Sequence, residues 1–137
     1  MSWAKSLIRL STYEVETLQK RLAEISDRLT QAEMKLVFLD AEGEAEAQNA
    51  AQDLEHGWFQ PGFLEGLRVR KAMAQAEIER IVLEQLGARE ALAVAFEEQK
   101  KYEQVAEAAR LAEVKEAARR ETAAMDEMGL RRAGSTR

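Results

Sequence analysis

Ile8, Val15, Leu22, Leu29 and Leu36 recur every seven residues, and Ser11, Leu18, Ile25, Ala32 and Leu39 follow them at an offset of three. Two apolar positions in seven, sustained over five heptads, describe the narrow seam of a coiled coil. The seam weakens through Gly43, Glu46, Ala50 and Asp53. Ala, Glu, Leu, Arg and Lys supply 80 of the 137 residues, with one Pro and seven Gly. These are strong helix formers, and so few breakers leave few places to turn. The chain therefore reads as all-α, a long antiparallel two-helix coiled-coil hairpin, and not as a β or α/β domain.

One cluster interrupts the pattern, His56-Gly57-Trp58-Phe59-Gln60-Pro61-Gly62. Gly57 suits a helix stop and Pro61 the first turn of a new helix. The expected organisation is a single unit, with a helix over 3–55, a turn at 56–61, a helix over 62–128 and a disordered basic tail over 129–137. In the second helix Leu64, Lys71, Ile78, Gln85, Leu92, Gln99 and Ala106 take one seam position. Leu67, Ala74, Ile81, Ala88, Ala95, Tyr102 and Ala109 take the other. Pairing residues whose numbers add to 117 mostly sets large side chains against small ones, as in Leu22–Ala95 and Leu29–Ala88, and makes Glu46–Lys71 an ion pair. This alignment leaves Val114 to Met128 without a partner helix. That overhang carries Lys115, Arg119 and Arg120, with Ala117, Ala118, Met125 and Met128 as apolar surface.

No cysteine and a single histidine, His56, remove thiol chemistry and the usual zinc and general-base sets. No phosphate loop, nucleophile set or nucleotide fingerprint is present, so no catalytic, metal or cofactor residues are expected. A net charge of −5 and a pI near 5.1 argue against nucleic-acid binding. No apolar run approaches a membrane span and the first residues lack a secretory leader's apolar stretch, so a cytoplasmic protein without direct membrane insertion is expected.

Charge is uneven. No Lys or Arg stands between Lys35 and Arg68, a stretch that holds Asp40, Glu42, Glu44 and Glu46, which read as a solvated acidic face. Trp58, Phe59 and Phe63 near the turn either anchor a partner or fold over the seam and cap it. Gln85 and Gln99 at seam positions either specify register or reach out to the rim.

The opening carries a further pattern. Leu7, Arg9, Leu10, Tyr13 and Val15 form a Leu-x-Arg-Leu-x-x-Tyr-x-Val lead-in, followed by Gln19, Leu22 and Ile25 on the seam. This stretch of about 20 residues resembles the start of the bacterial flagellar export FliJ family, and the length, acidic helical body and central break are similar too. The resemblance implies a component of the flagellar type III export apparatus, acting in flagellum biogenesis and so in motility and chemotaxis. It implies a stalk and general chaperone that binds the export ATPase (FliI) with its regulator (FliH), the export gate protein (FlhA) and substrate chaperones. It implies a place in the cytoplasm, peripherally associated with the inner membrane at the flagellar base. By analogy with rotary stalks, Leu7, Arg9, Leu10, Tyr13 and the overhang with Lys115, Arg119 and Arg120 would meet the ATPase ring. The competing expectation is a structural coiled-coil scaffold or adaptor without an export role, either a parallel dimer or an injectisome-type stalk.

Overall fold

The computed structural model describes the backbone of residues 2–52 and 54–135 and the side chains of residues 3–52 and 60–134. Two helices account for all of it: α1, Ser2–Gln52, and α2, Leu54–Ser135. They pack antiparallel within one chain, so the seam closes without the second strand that a parallel dimer needs. The chain divides into two units, residues 16–93, and residues 1–15 with 94–137.

In the unit of residues 16–93, Ile25, Ile81 and Ala88 form one buried cluster, flanked by Leu22, Leu29 and Ala32. Leu39, Leu67 and Ala74 form another, flanked by Leu36 and Phe63. In the other unit Ala4, Ser11, Val15 and Ala95 are buried. The Ser11 hydroxyl donates to the Ile8 carbonyl at 2.9 Å, so this buried polar group is satisfied within its own helix. On α2 the seam position Leu67, Ala74, Ile81, Ala88 and Ala95 is buried at every heptad, as the periodicity requires. Leu64, expected on the seam, is exposed.

The register differs from the expected one by a heptad. A Cβ placed on Gly43 would meet Leu67 Cδ2 at 2.8 Å, and Lys71 Nζ lies 2.9 Å from Asp40. The Gln85 amide donates to Ser26 Oγ at 3.1 Å and the Gln99 amide to Thr12 Oγ1 at 3.0 Å. Facing residues thus add to 110 or 111 in each unit, not 117, and Lys71 pairs with Asp40 instead of Glu46. Sizes match in either alignment, since Gly43 accepts Leu67 here. What differs is the polar groups: with 117, Gln85 would face Ala32 and Gln99 would face Leu18. Half-buried amides without partners are costly, so the alignment that supplies Ser26 and Thr12 is preferred.

The same shift moves the reversal. A register of 110 centres it near residue 55, so residues 56–61, expected as a turn, fall on the second arm and α2 begins at Leu54. Pro61 then sits inside α2, where its missing N–H removes one bond of the ladder. Phe63, two residues on, is held against the Leu39–Leu67–Ala74 cluster. Replacing Pro61 with alanine should therefore raise the thermal midpoint, by up to about 3 kcal/mol of stability. An unchanged or lowered midpoint in a circular dichroism melt would place Pro61 in a turn.

The tail expected to be disordered continues α2 to Ser135. Gly129 costs a helix only about 1 kcal/mol relative to alanine, and the Arg131–Glu127 pair at 3.0 Å spans it. Residues 136 and 137 lie outside the described ones.

Candidate partner-binding surfaces

Burial divides the sequence-derived candidates into separate groups. On α1, Ile8 and Leu7 are half-buried toward α2, whereas Arg9, Leu10 and Tyr13 point outward, Leu10 at 64% and Tyr13 at 68% exposure. Trp3, one heptad before Leu10, shares its face and is also exposed. Trp3, Leu10 and Tyr13 thus form one apolar strip on the outside of α1. Trp3 was not among the expected residues, although the seven-residue interval to Leu10 marks it.

Past the first turns of α1, α2 continues alone. From Leu111 to Gly134 every residue is exposed except the half-buried Glu116. The overhang therefore begins earlier than Val114, as a register of 110 demands. Glu116 holds both arginines that sequence reasoning singled out, Arg119 at 3.2 Å and Arg120 at 3.6 Å. Lys115, one residue before Glu116, points to a different side of the helix. The line of positions that meets α1 lower on α2 continues here as Glu113, Glu116, Arg120, Ala123, Glu127 and Leu130, four of the six charged, so the overhang prolongs the apolar seam only at Ala123 and Leu130.

Near the reversal, Phe63 packs on the core cluster and the Arg70 guanidinium lies 5.8 Å from its ring centroid. The side chains of Trp58, Phe59 and His56 lie outside the described residues.

A groove of about 620 Å³ opens along one side of the 16–93 unit, lined among others by Arg28, Lys35, Arg70, Glu77 and Arg80. Sequence periodicity does not reveal it, because these residues come from the flanks of both helices. Arg28 pairs with Glu84 at 3.0 Å, Arg70 with Glu42 at 3.7 Å and Arg80 with Glu77. Most of its positive charge is therefore already committed. Among the described residues no group of three or more His, Cys, Asp or Glu is placed to hold a metal ion, and no helix is long and apolar enough to cross a membrane.

Three carboxylates are held below their ordinary range by a hydrogen-bonded arginine: Glu84 by Arg28, Glu65 by Arg68 and Glu107 by Arg110. Because the folded pKa is the lower one, the unfolded chain takes up protons first as the solution is acidified. The stabilisation is present above the ordinary carboxylate range and is lost as pH falls through and below it. Arg28–Glu84 alone of the three joins the two helices. Glu84→Gln should flatten the acid side of the Tm-against-pH curve, with little change at neutral pH in high salt. A curve identical to that of the parent would remove this pair from the balance.

The chain aligns over 131 residues, at 53% identity, with the protein called "Flagellar FliJ protein" of Caulobacter vibrioides, in strains NA1000 / CB15N and ATCC 19089 / CIP 103742 / CB 15. The alignment covers 96% of this chain and 94% of each relative. No protein-family model matches the chain, and no solved structure does.

Proposed function

The chain belongs to the flagellar FliJ family, and from that premise we propose that it serves flagellar protein export as a two-helix stalk on the export ATPase (FliI). The observation that carries the reading is the 53% identity, spread over 96% of the chain, to a flagellar FliJ protein. The geometry supports a mechanical part. A lone helix with its side chains is about 10–12 Å across, narrower than a helix pair, so the α2 overhang is the segment suited to enter the opening of a ring. Its charged line, with Arg119 and Arg120, meets the ring wall, while Trp3, Leu10 and Tyr13 supply apolar contact from α1. The 16–93 unit, with its groove, remains for the gate protein (FlhA), the regulator (FliH) and substrate chaperones. The protein then acts at the cytoplasmic side of the flagellar base.

Immobilised protein should retain the flagellar export ATPase from the same cell's extract and change its ATPase rate. Replacing Arg119 and Arg120 together with Glu should weaken retention and steepen its loss with salt. Retention unchanged by that double replacement would remove the overhang from the interface. A folded protein that retains no ATPase would overturn the stalk reading.

A further inference from the structure

The groove beside the 16–93 seam is cationic, on a chain whose net charge is −5. Arg28 and Lys35 from α1 and Arg70 and Arg80 from α2 line it, against one carboxylate, Glu77. Its volume of about 620 Å³ falls within the range of ligand sites, about 300–1,000 Å³. This charge is not general to the flanks of the hairpin. A smaller groove of about 390 Å³ in the other unit sets Glu103, Glu107 and Glu113 against Lys5 and Arg110.

The ion pairs within the chain leave that cationic lining able to bind more. Glu84 and Glu42, the partners of Arg28 and Arg70, stand outside the lining. Each arginine reaches its carboxylate through Nη1. A guanidinium presents five N–H donors in a fork, so each can take a second carboxylate and keep the first. Lys35 makes no ion pair among the described residues.

Spacing sets the shape of anion that fits. Arg28 and Lys35 stand one heptad apart, about 10 Å along α1, and Arg70 and Arg80 about 15 Å apart along α2. Between the two rows Ala32 and Ala74 are small, and Met73, 67% exposed, lies beside them. A helix laid between the rows can set one side chain per heptad on this apolar floor. Its flanking heptad positions then bring carboxylates to the cations, as flanking charges choose partners in coiled coils. A phosphate chain, charged along its whole length, would meet Glu42, Glu77 and Glu84 as well. We propose that the groove seats an acidic amphipathic helix of a partner protein. Arg28, Lys35, Arg70 and Arg80 hold its carboxylates, and an apolar side chain packs on Ala32, Ala74 and Met73. Such docking uses no residue of the overhang, so it stands or falls apart from the ATPase reading.

The probe is a synthetic three-heptad helix with one Leu per heptad, Ala beside it and Glu on both flanks. Its twin carries Lys in place of each Glu. Fluorescence anisotropy of the labelled probes, titrated with the full chain in about 50 mM salt, reads the affinity. The Glu probe should bind at least about tenfold more tightly than the Lys twin, and lose affinity as salt rises. Lys35→Glu with Arg80→Glu should abolish that preference with an unchanged helical signal, since both side chains are exposed. Met73→Glu should weaken the Glu probe as well. The same charge change outside the groove, Lys100→Glu with Lys101→Glu, should leave the preference in place. No binding of the Glu probe, equal affinity for the two probes, or equal losses from the two double replacements would overturn the proposal. So would a single-stranded oligonucleotide that displaces the Glu probe at lower concentration than the unlabelled Glu helix does.

Discussion

Replacing Ile81 with alanine is expected to cost the protein about 3 kcal/mol, within the range of about 2–5 kcal/mol for deleting a well-buried isoleucine. Ile81 is 3% exposed and is the largest side chain between Leu67 and Ala95 on the buried position of α2, where Ala74, Ala88 and Ala95 fill the other layers. Its neighbours Ile25, Leu22 and Leu29 come from α1 and are spaced by helix geometry, so they cannot close the gap by moving singly. A domain of this size has only about 5–15 kcal/mol to lose. The urea midpoint followed by far-UV circular dichroism should fall markedly for Ile81→Ala. Leu83→Ala, two residues along and 68% exposed, should stay within about 0.5 kcal/mol of the parent. Equal losses at the two positions would mean that the seam does not carry the stability of the 16–93 unit.

The contrast between Ile81 and Leu83 was legible in the sequence, because position around a helix follows from spacing alone. Alignment along the helix was not. A heptad seam slid by seven residues presents the same positions again, so a size-matching criterion accepts 117 and 110 nearly equally. The choice falls to Gln85, Gln99 and Lys71, whose partners Ser26, Thr12 and Asp40 stand just off the α1 seam. Their reach depends on side-chain direction, which a count of apolar positions does not carry. The displaced turn and the earlier start of the overhang at Leu111 both descend from that one step, whereas the exposure of Leu64 does not, since either alignment presents the same α2 positions. The binding surfaces follow the same division. Leu10 and Tyr13 were found through a motif, whereas Trp3 needed the outer face of α1 to be read as a face. Arg119 and Arg120 were found through charge, but that Glu116 already pairs with both is seen only in the structure.

The register can be fixed by a covalent trap, and this chain suits one because it has no native cysteine. The pair Gly43→Cys with Leu67→Cys is expected to oxidise to an intramolecular disulfide in high yield under mild conditions. A Cβ at position 43 already comes to 2.8 Å of the Leu67 side chain, and Gly43 contributes no bulk of its own to displace. The pair Gly43→Cys with Ala74→Cys, which the 117 alignment favours, should stay reduced. Seven residues along α2 displace the second thiol by about 10 Å, beyond the separation of about 7 Å between Cα atoms that a disulfide spans. The closed loop of some 25 residues should restrict the unfolded chain by about 3–4 kcal/mol, offsetting much of the loss of the buried Leu67 side chain. Gel mobility without reductant reads the result, and a mass measurement separates the internal bond from a bond between copies. Trapping of the 43–74 pair in preference to 43–67 would return the hairpin to the 117 register, moving the reversal back to the His56–Pro61 cluster and shortening the overhang by about a heptad.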